Sequence, residues 1–100
     1  INYTQFTSRQ RDDPYCNRII ERLNGRSPPP NARLRRQLRK FKIDNNVLHR
    51  YICTTNEHHW IPVLPRSLRQ KIFRAFHDNL CAGHLGYHNT QSRIRQTFFW

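Results

Sequence analysis

Two histidines, His77 and His84, stand seven positions apart, with Gly83 and Gly86 flanking the second. Seven is too long a spacing for one helix face, where metal-binding histidines sit four apart. The chain between them must turn back, and the two glycines provide the backbone freedom to do so. Neutral imidazoles suit zinc, but two of them fill only half of a tetrahedral shell. A fold for this chain has to accommodate that loop and that half-site.

A metal staple matters here because the core is thin. Only 36% of the 100 residues are hydrophobic, below the usual share of a globular chain. The length fits one domain, or a small domain with an appendage. Charge is the stronger signal: eighteen basic residues face six acidic ones, for a net +12. Fifteen of the eighteen are arginine, the side chain that pairs bidentately with phosphate. A nucleic-acid partner is therefore expected, with an anionic membrane surface as the alternative. No signal-peptide pattern and no apolar run long enough to cross a bilayer occurs. The absence of methionine predicts a piece of a longer product. Cys16, Cys53 and Cys81 are odd in number and unrelated in spacing, which argues against a disulfide framework and for a reducing compartment.

Residues 1–12 are polar and aperiodic and read as a linker. Asp13-Pro14 is an N-cap followed by proline at the first helical position. Cys16, Ile19, Ile20 and Leu23 follow at helical spacing, and Gly25 can close the helix. Cys16 reads as a small apolar member of that face. After the stiff Ser27-Pro-Pro-Pro30, Asn31 caps a second helix with Leu34, Leu38 and Phe41 on one stripe. Around the stripe lie Arg33, Arg35, Arg36, Arg39 and Lys40, with no acid from Asn31 to Lys42. Such a run is either a solvated face or a phosphate contact. Period 2 then replaces period 3.6. Phe41–Ile43 and Val47–Cys53 flank the turn composition Asp44-Asn45-Asn46, and His58–Val63 returns after a second turn. His49, His58 and His59 read as strand surface residues, and Trp60 as a packing residue. Pro65 opens a third helix with Leu68, Ile72, Ala75 and Phe76 on its apolar face and His77 at its end. A fourth runs from about His88 to Phe98, with Ile94 and Phe98 inward and Arg93 and Arg95 outward.

Together these residues carry a resemblance. Leu64-Pro65-Arg66-Ser67-Leu68-Arg69, His77-Asp78, Gly83-His84-Leu85-Gly86, Thr90, Ile94 and Phe99-Trp100 resemble the zinc-binding N-terminal domain of retroelement integrases, above all the gypsy-like (Ty3-type) lineage. In that family a proline opens a helix ending in His-Asp. Gly-His-x-Gly and Lys-Thr follow, then a helix, an aromatic-Trp-Pro-Gly turn and Cys-x-x-Cys. The likeness covers about 61–100, and residues 13–60 resemble, more weakly, the connector between ribonuclease H and integrase. It implies that His77 and His84 are the two histidine ligands of a zinc ion, and that Gly83, Gly86 and Thr90 shape the loop and the next helix. Asn89 stands where the family has lysine. The sequence stops at Trp100, ahead of where the paired cysteines would stand, and none of its own cysteines is placed as they are. Residues 1–100 are thus expected to hold a zinc half-site.

The expected fold class is α+β and mostly helical. A helical N-terminal extension and a small antiparallel meander (13–60) precede a helical zinc-binding domain of the two-histidine, two-cysteine type, cut short (61–100). The acids Asp12, Asp13, Glu21, Asp44, Glu57 and Asp78 form no grouping that suggests two-metal chemistry, and there is no nucleophile motif or phosphate-binding glycine loop. The expected role is a non-catalytic fragment of a retrotransposon polyprotein. It would bind element-end DNA through Arg33, Arg35, Arg36, Arg39, Lys40, Arg93 and Arg95 and help integrase subunits associate, inside the cell and in the nucleus when on DNA. No membrane or small-molecule substrate is expected. A host-domesticated interaction module without integration activity is the alternative.

Overall fold

The computed structural model describes residues 3–80 and 87–100, with side chains for 4–77 and 90–100. Helices α1 (Tyr3–Asp12), α2 (Pro14–Leu23) and α3 (Ala32–Leu38) come first. Strands β1 (Phe41–Asp44), β2 (Val47–Cys53) and β3 (His58–Pro62) follow, then a 3₁₀ turn (Arg66–Leu68), α4 (Arg69–Leu80) and α5 (Tyr87–Thr97). This is the expected α+β, mostly helical class. Among the described residues no helix is long and apolar enough to cross a membrane.

Local chemistry sets the element ends. Asp13 caps α2 by accepting the Cys16 N–H at 3.0 Å, and Asn31 caps α3 by accepting the Leu34 N–H at 2.9 Å, each satisfying a donor that the first turn leaves over. At the other end of α2, Gly25 takes φ +77°. Its N–H donates to Arg22 O and the Arg26 N–H to Glu21 O, the Schellman arrangement that a left-handed glycine makes possible. In the β1–β2 hairpin Asp44 pairs with Val47, so Asn45 and Asn46 alone make the turn. Both have positive φ, 52° and 64°, the type I′ geometry that matches strand twist. The sheet is a meander in the order β1-β2-β3, antiparallel throughout.

Two apolar clusters hold these elements. Cys16, Ile19, Ile20, Leu48 and Val63 form one, with Leu23, Leu38, Phe41 and Phe99 packed against it. The other joins Phe6, Val47, Leu64, Leu68, Ile72, Ile94 and Phe98. The second cluster corrects the reading of residues 1–12 as a linker: α1 is a helix whose Phe6 is buried against Phe98, ring centroids 5.9 Å apart. The helix escaped notice because its buried face is Phe6 and Gln10, one apolar residue and one polar residue four apart. Ala75, placed on the apolar face of α4 from sequence, is exposed, and Phe73 and Phe76 are half-buried instead.

Asp13 also ties distant parts of the chain together. Its second carboxylate oxygen accepts the Arg66 N–H at 3.1 Å, clamping the start of α2 to the turn that launches α4. Burial raises its pKa, but N–H donors from Cys16, Arg66 and Tyr15 more than offset that, leaving it below the ordinary 3.8. A depressed carboxylate contributes stability above its unfolded pKa, and that contribution is lost as pH falls through the folded value. Asp13→Ala is therefore expected to cost about 1–2 kcal/mol at pH 7, as lost N-caps do. In urea melts, the gap from the parent chain should narrow once the pH drops below about 4. A gap that stays constant down to pH 2.5 would show that the carboxylate charge contributes nothing.

Candidate functional site

The histidine half of the site is built by α4. Pro65 sits in an extended conformation ahead of the 3₁₀ turn, and the Leu68 N–H donates to its carbonyl at 3.0 Å. That entry rotates Leu68 and Ile72 into the core and sets Phe73 and His77, one turn apart, side by side. The rings of Phe73 and His77 stack at 5.8 Å with planes 16° apart. Half-buried in the last turn of α4, the imidazole is a ring fixed by packing, as metal-ligating histidines generally are fixed by neighbouring groups. His77 thus presents a half-buried imidazole at the end of α4. His84, Gly83 and Gly86 lie outside the described residues, as do Cys81 and the side chain of Asp78. Among the described residues no group of three or more His, Cys, Asp or Glu could hold a metal ion. Thr90 is fully buried near the start of α5.

Among the described residues, His58, His59 and Cys16 are engaged otherwise. Tyr51 Oη and His58 Nδ1 share a hydrogen bond of 2.7 Å, and His59 Nδ1 lies 3.7 Å from Glu57. Trp60 packs against Tyr51 at 5.2 Å with the Lys42 ammonium over its ring. Cys16 is buried in the core, and burial first, then the Asp13 carboxylate, pushes its thiol up to about 12. At neutral pH it stays a protonated thiol, without the thiolate character that a nucleophile needs.

The cationic residues present a different surface. Arg33, Arg35, Arg36, Arg39 and Lys40 are all exposed, while Leu34 and Leu38 turn inward. Helix α3 is short, so Arg39 forms its C-cap and Lys40 lies beyond it. Among the described residues the ion pairs are Arg26–Glu21 and His59–Glu57, so these five cations stay uncompensated. Arg93 and Arg95 are exposed on α5. They belong to a different layer, because α5 packs on α4 whereas α3 packs on α2 and β1. Another basic group escaped the sequence: Arg18, Arg66 and Arg69 meet around one cleft. They come from α2, the 3₁₀ turn and α4, and no local pattern links them. Only the fold could reveal it.

Residues 64–100 match the family model described as the integrase zinc binding domain. Comparison with curated proteins and with solved structures returned no match.

Proposed function

We propose that this chain, whose residues 64–100 are an integrase zinc binding domain, is a non-catalytic part of a retrotransposon polyprotein of the gypsy-like (Ty3-type) lineage. In this reading it binds the DNA of the element's ends, mainly at phosphates, and helps integrase subunits associate during integration in the nucleus. Residues 13–60 serve as connector and 61–100 as the zinc-binding unit, both resting on shared apolar clusters. The observation that carries the reading is the match at 64–100, a stretch that includes the proline-initiated helix and His77, whose ring stacks on Phe73. His77 and His84 would hold the zinc, which supplies a structural cross-link in a chain with little core to spare. Phe73 stacks on the His77 ring, and Gly83 and Gly86 would supply the backbone freedom that the spacing of the two histidines calls for. Arg33, Arg35, Arg36, Arg39 and Lys40 on one layer, and Arg93 and Arg95 on another, supply phosphate donors.

Salt dependence tests the nucleic-acid part. If about five phosphates are neutralised, log affinity for duplex DNA should fall against log salt with a slope near −4 to −5. Replacing Arg35, Arg36 and Arg39 together by glutamine should flatten that slope by about 2.7. A parent slope near −1 would sink the claim that α3 is a footprint. Zinc has its own test. With two histidine donors in the polypeptide 1–100, isothermal titration should show weak, non-stoichiometric binding. Tight one-to-one binding would mean that other side chains of these residues complete the shell.

A further inference from the structure

Between the start of α2 and the start of α4 lies a cleft of about 570 Å³, lined by none of the residues proposed to contact duplex DNA. That volume falls in the range of small-molecule sites, roughly 300–1,000 Å³. Three arginines surround it: Arg18, Arg66 and Arg69. Aromatic side chains supply the rest of its character, namely Tyr15, the exposed large hydrophobic of the described residues at 49% exposure, and Trp100. The Arg69 guanidinium lies over the Trp100 ring at 5.5 Å. Asp13, the acid among the described lining residues, does not cancel this charge by pairing with an arginine. Each of its oxygens is taken by a backbone N–H. Cys16 at the floor stays a neutral thiol.

Cations beside aromatic side chains, in a cleft of small-molecule size, suit one unpaired nucleotide. Stacking on an aromatic side chain holds a base of any sequence, and arginine holds the phosphate. We propose that this cleft takes one nucleotide of an unpaired nucleic-acid strand, with its phosphate at Arg18 and Arg66 and its base against Tyr15 and Trp100. The proposal rests on the nucleic-acid part of the functional reading for its partner class, and is independent of zinc and of α3.

The test is a fluorescence titration of the full chain with three probes: a 5′-phosphorylated oligothymidylate, a duplex of equal length, and thymidine 5′-monophosphate. Arg18 and Arg66 are exposed, so Arg18→Gln/Arg66→Gln should fold, which circular dichroism checks. That variant should weaken oligothymidylate binding at least tenfold and leave duplex affinity within twofold. Tyr15→Leu should weaken the oligonucleotide by roughly fivefold or more, the low end of base–aromatic stacking. The α3 variant should do the reverse, weakening the duplex only, so failure of the footprint and failure of the cleft are distinguishable. Oligothymidylate binding that is absent, or unchanged in Arg18→Gln/Arg66→Gln, overturns the proposal. Thymidine monophosphate binding as tightly as the oligonucleotide overturns it too, by assigning the cleft to a free nucleotide.

Discussion

Gln10→Leu is expected to destabilise the fold by about 2–5 kcal/mol, the cost of two buried backbone groups left unpaired. Gln10 is fully buried, and its amide substitutes for part of the sheet. Continuing the β2–β3 register one pair beyond His49 and Pro62 sets Leu48 opposite Val63. The Val63 N–H donates to Leu48 O at 2.9 Å, one half of an exchange that an antiparallel pair normally completes in both directions. The other half is interrupted. The Leu48 N–H donates to Gln10 Oε1 at 2.8 Å, and Gln10 Nε2 donates to Val63 O at 2.7 Å and to Leu48 O at 3.1 Å. Leucine is similar in size but offers none of these bonds, leaving the Leu48 N–H and the Val63 carbonyl in an apolar setting. Urea unfolding measures the loss, and amide exchange at Leu48 locates it. A loss under about 1 kcal/mol would mean that the two strands close directly on each other and that Gln10 is a spacer, since one net hydrogen bond is worth about that much.

The same residue shows what sequence reading could and could not reach. Elements with their own local chemistry were legible: Asp13-Pro14 and Asn31 as caps, Asn45-Asn46 as the turn, Gly25 as the helix stop. These signals lie within a few residues of the structure that they create. Helix α1 was not legible, because its buried stripe is Phe6 and Gln10, and a glutamine registers as core only when the strands that it bridges, 38 and 53 positions away, are known. The basic run of α3 could be read directly, since consecutive arginines need no tertiary contact to be noticed. Arg18, Arg66 and Arg69 share a cleft because the fold sets α2 beside the turn before α4, where Asp13 accepts the Arg66 N–H. For the proposed histidine pair, the sequence supplied residue types and spacing, and the structure adds the Phe73 ring stacked on His77, while His84 lies outside the described residues.

Phe98→Ala is the substitution with the other large expected effect, about 3–5 kcal/mol, as for buried phenylalanines generally. For a domain this small that corresponds to a fall in melting temperature of roughly 15–30 °C. Phe98 is only 2% exposed and sits just past α5, its N–H donating to Ile94 O at 2.7 Å. Its ring lies 5.9 Å from Phe6 of α1 and 6.3 Å from Phe76 of α4, so three helices from opposite ends of the chain meet on it. The next residue, Phe99, continues the tie by bonding to Pro62 O and accepting from the Leu64 N–H, both at 2.8 Å. Truncating Phe98 therefore leaves a cavity at the junction and frees α1 from α4 together. Thermal melts followed by circular dichroism measure the size of the effect, and urea m-values show its extent, because a frayed α1 reduces the surface exposed on unfolding. A fall of only a few degrees with an unchanged m-value would mean that α1 is held by Gln10 alone and that the aromatic junction is not what joins the first helix to the histidine-bearing one.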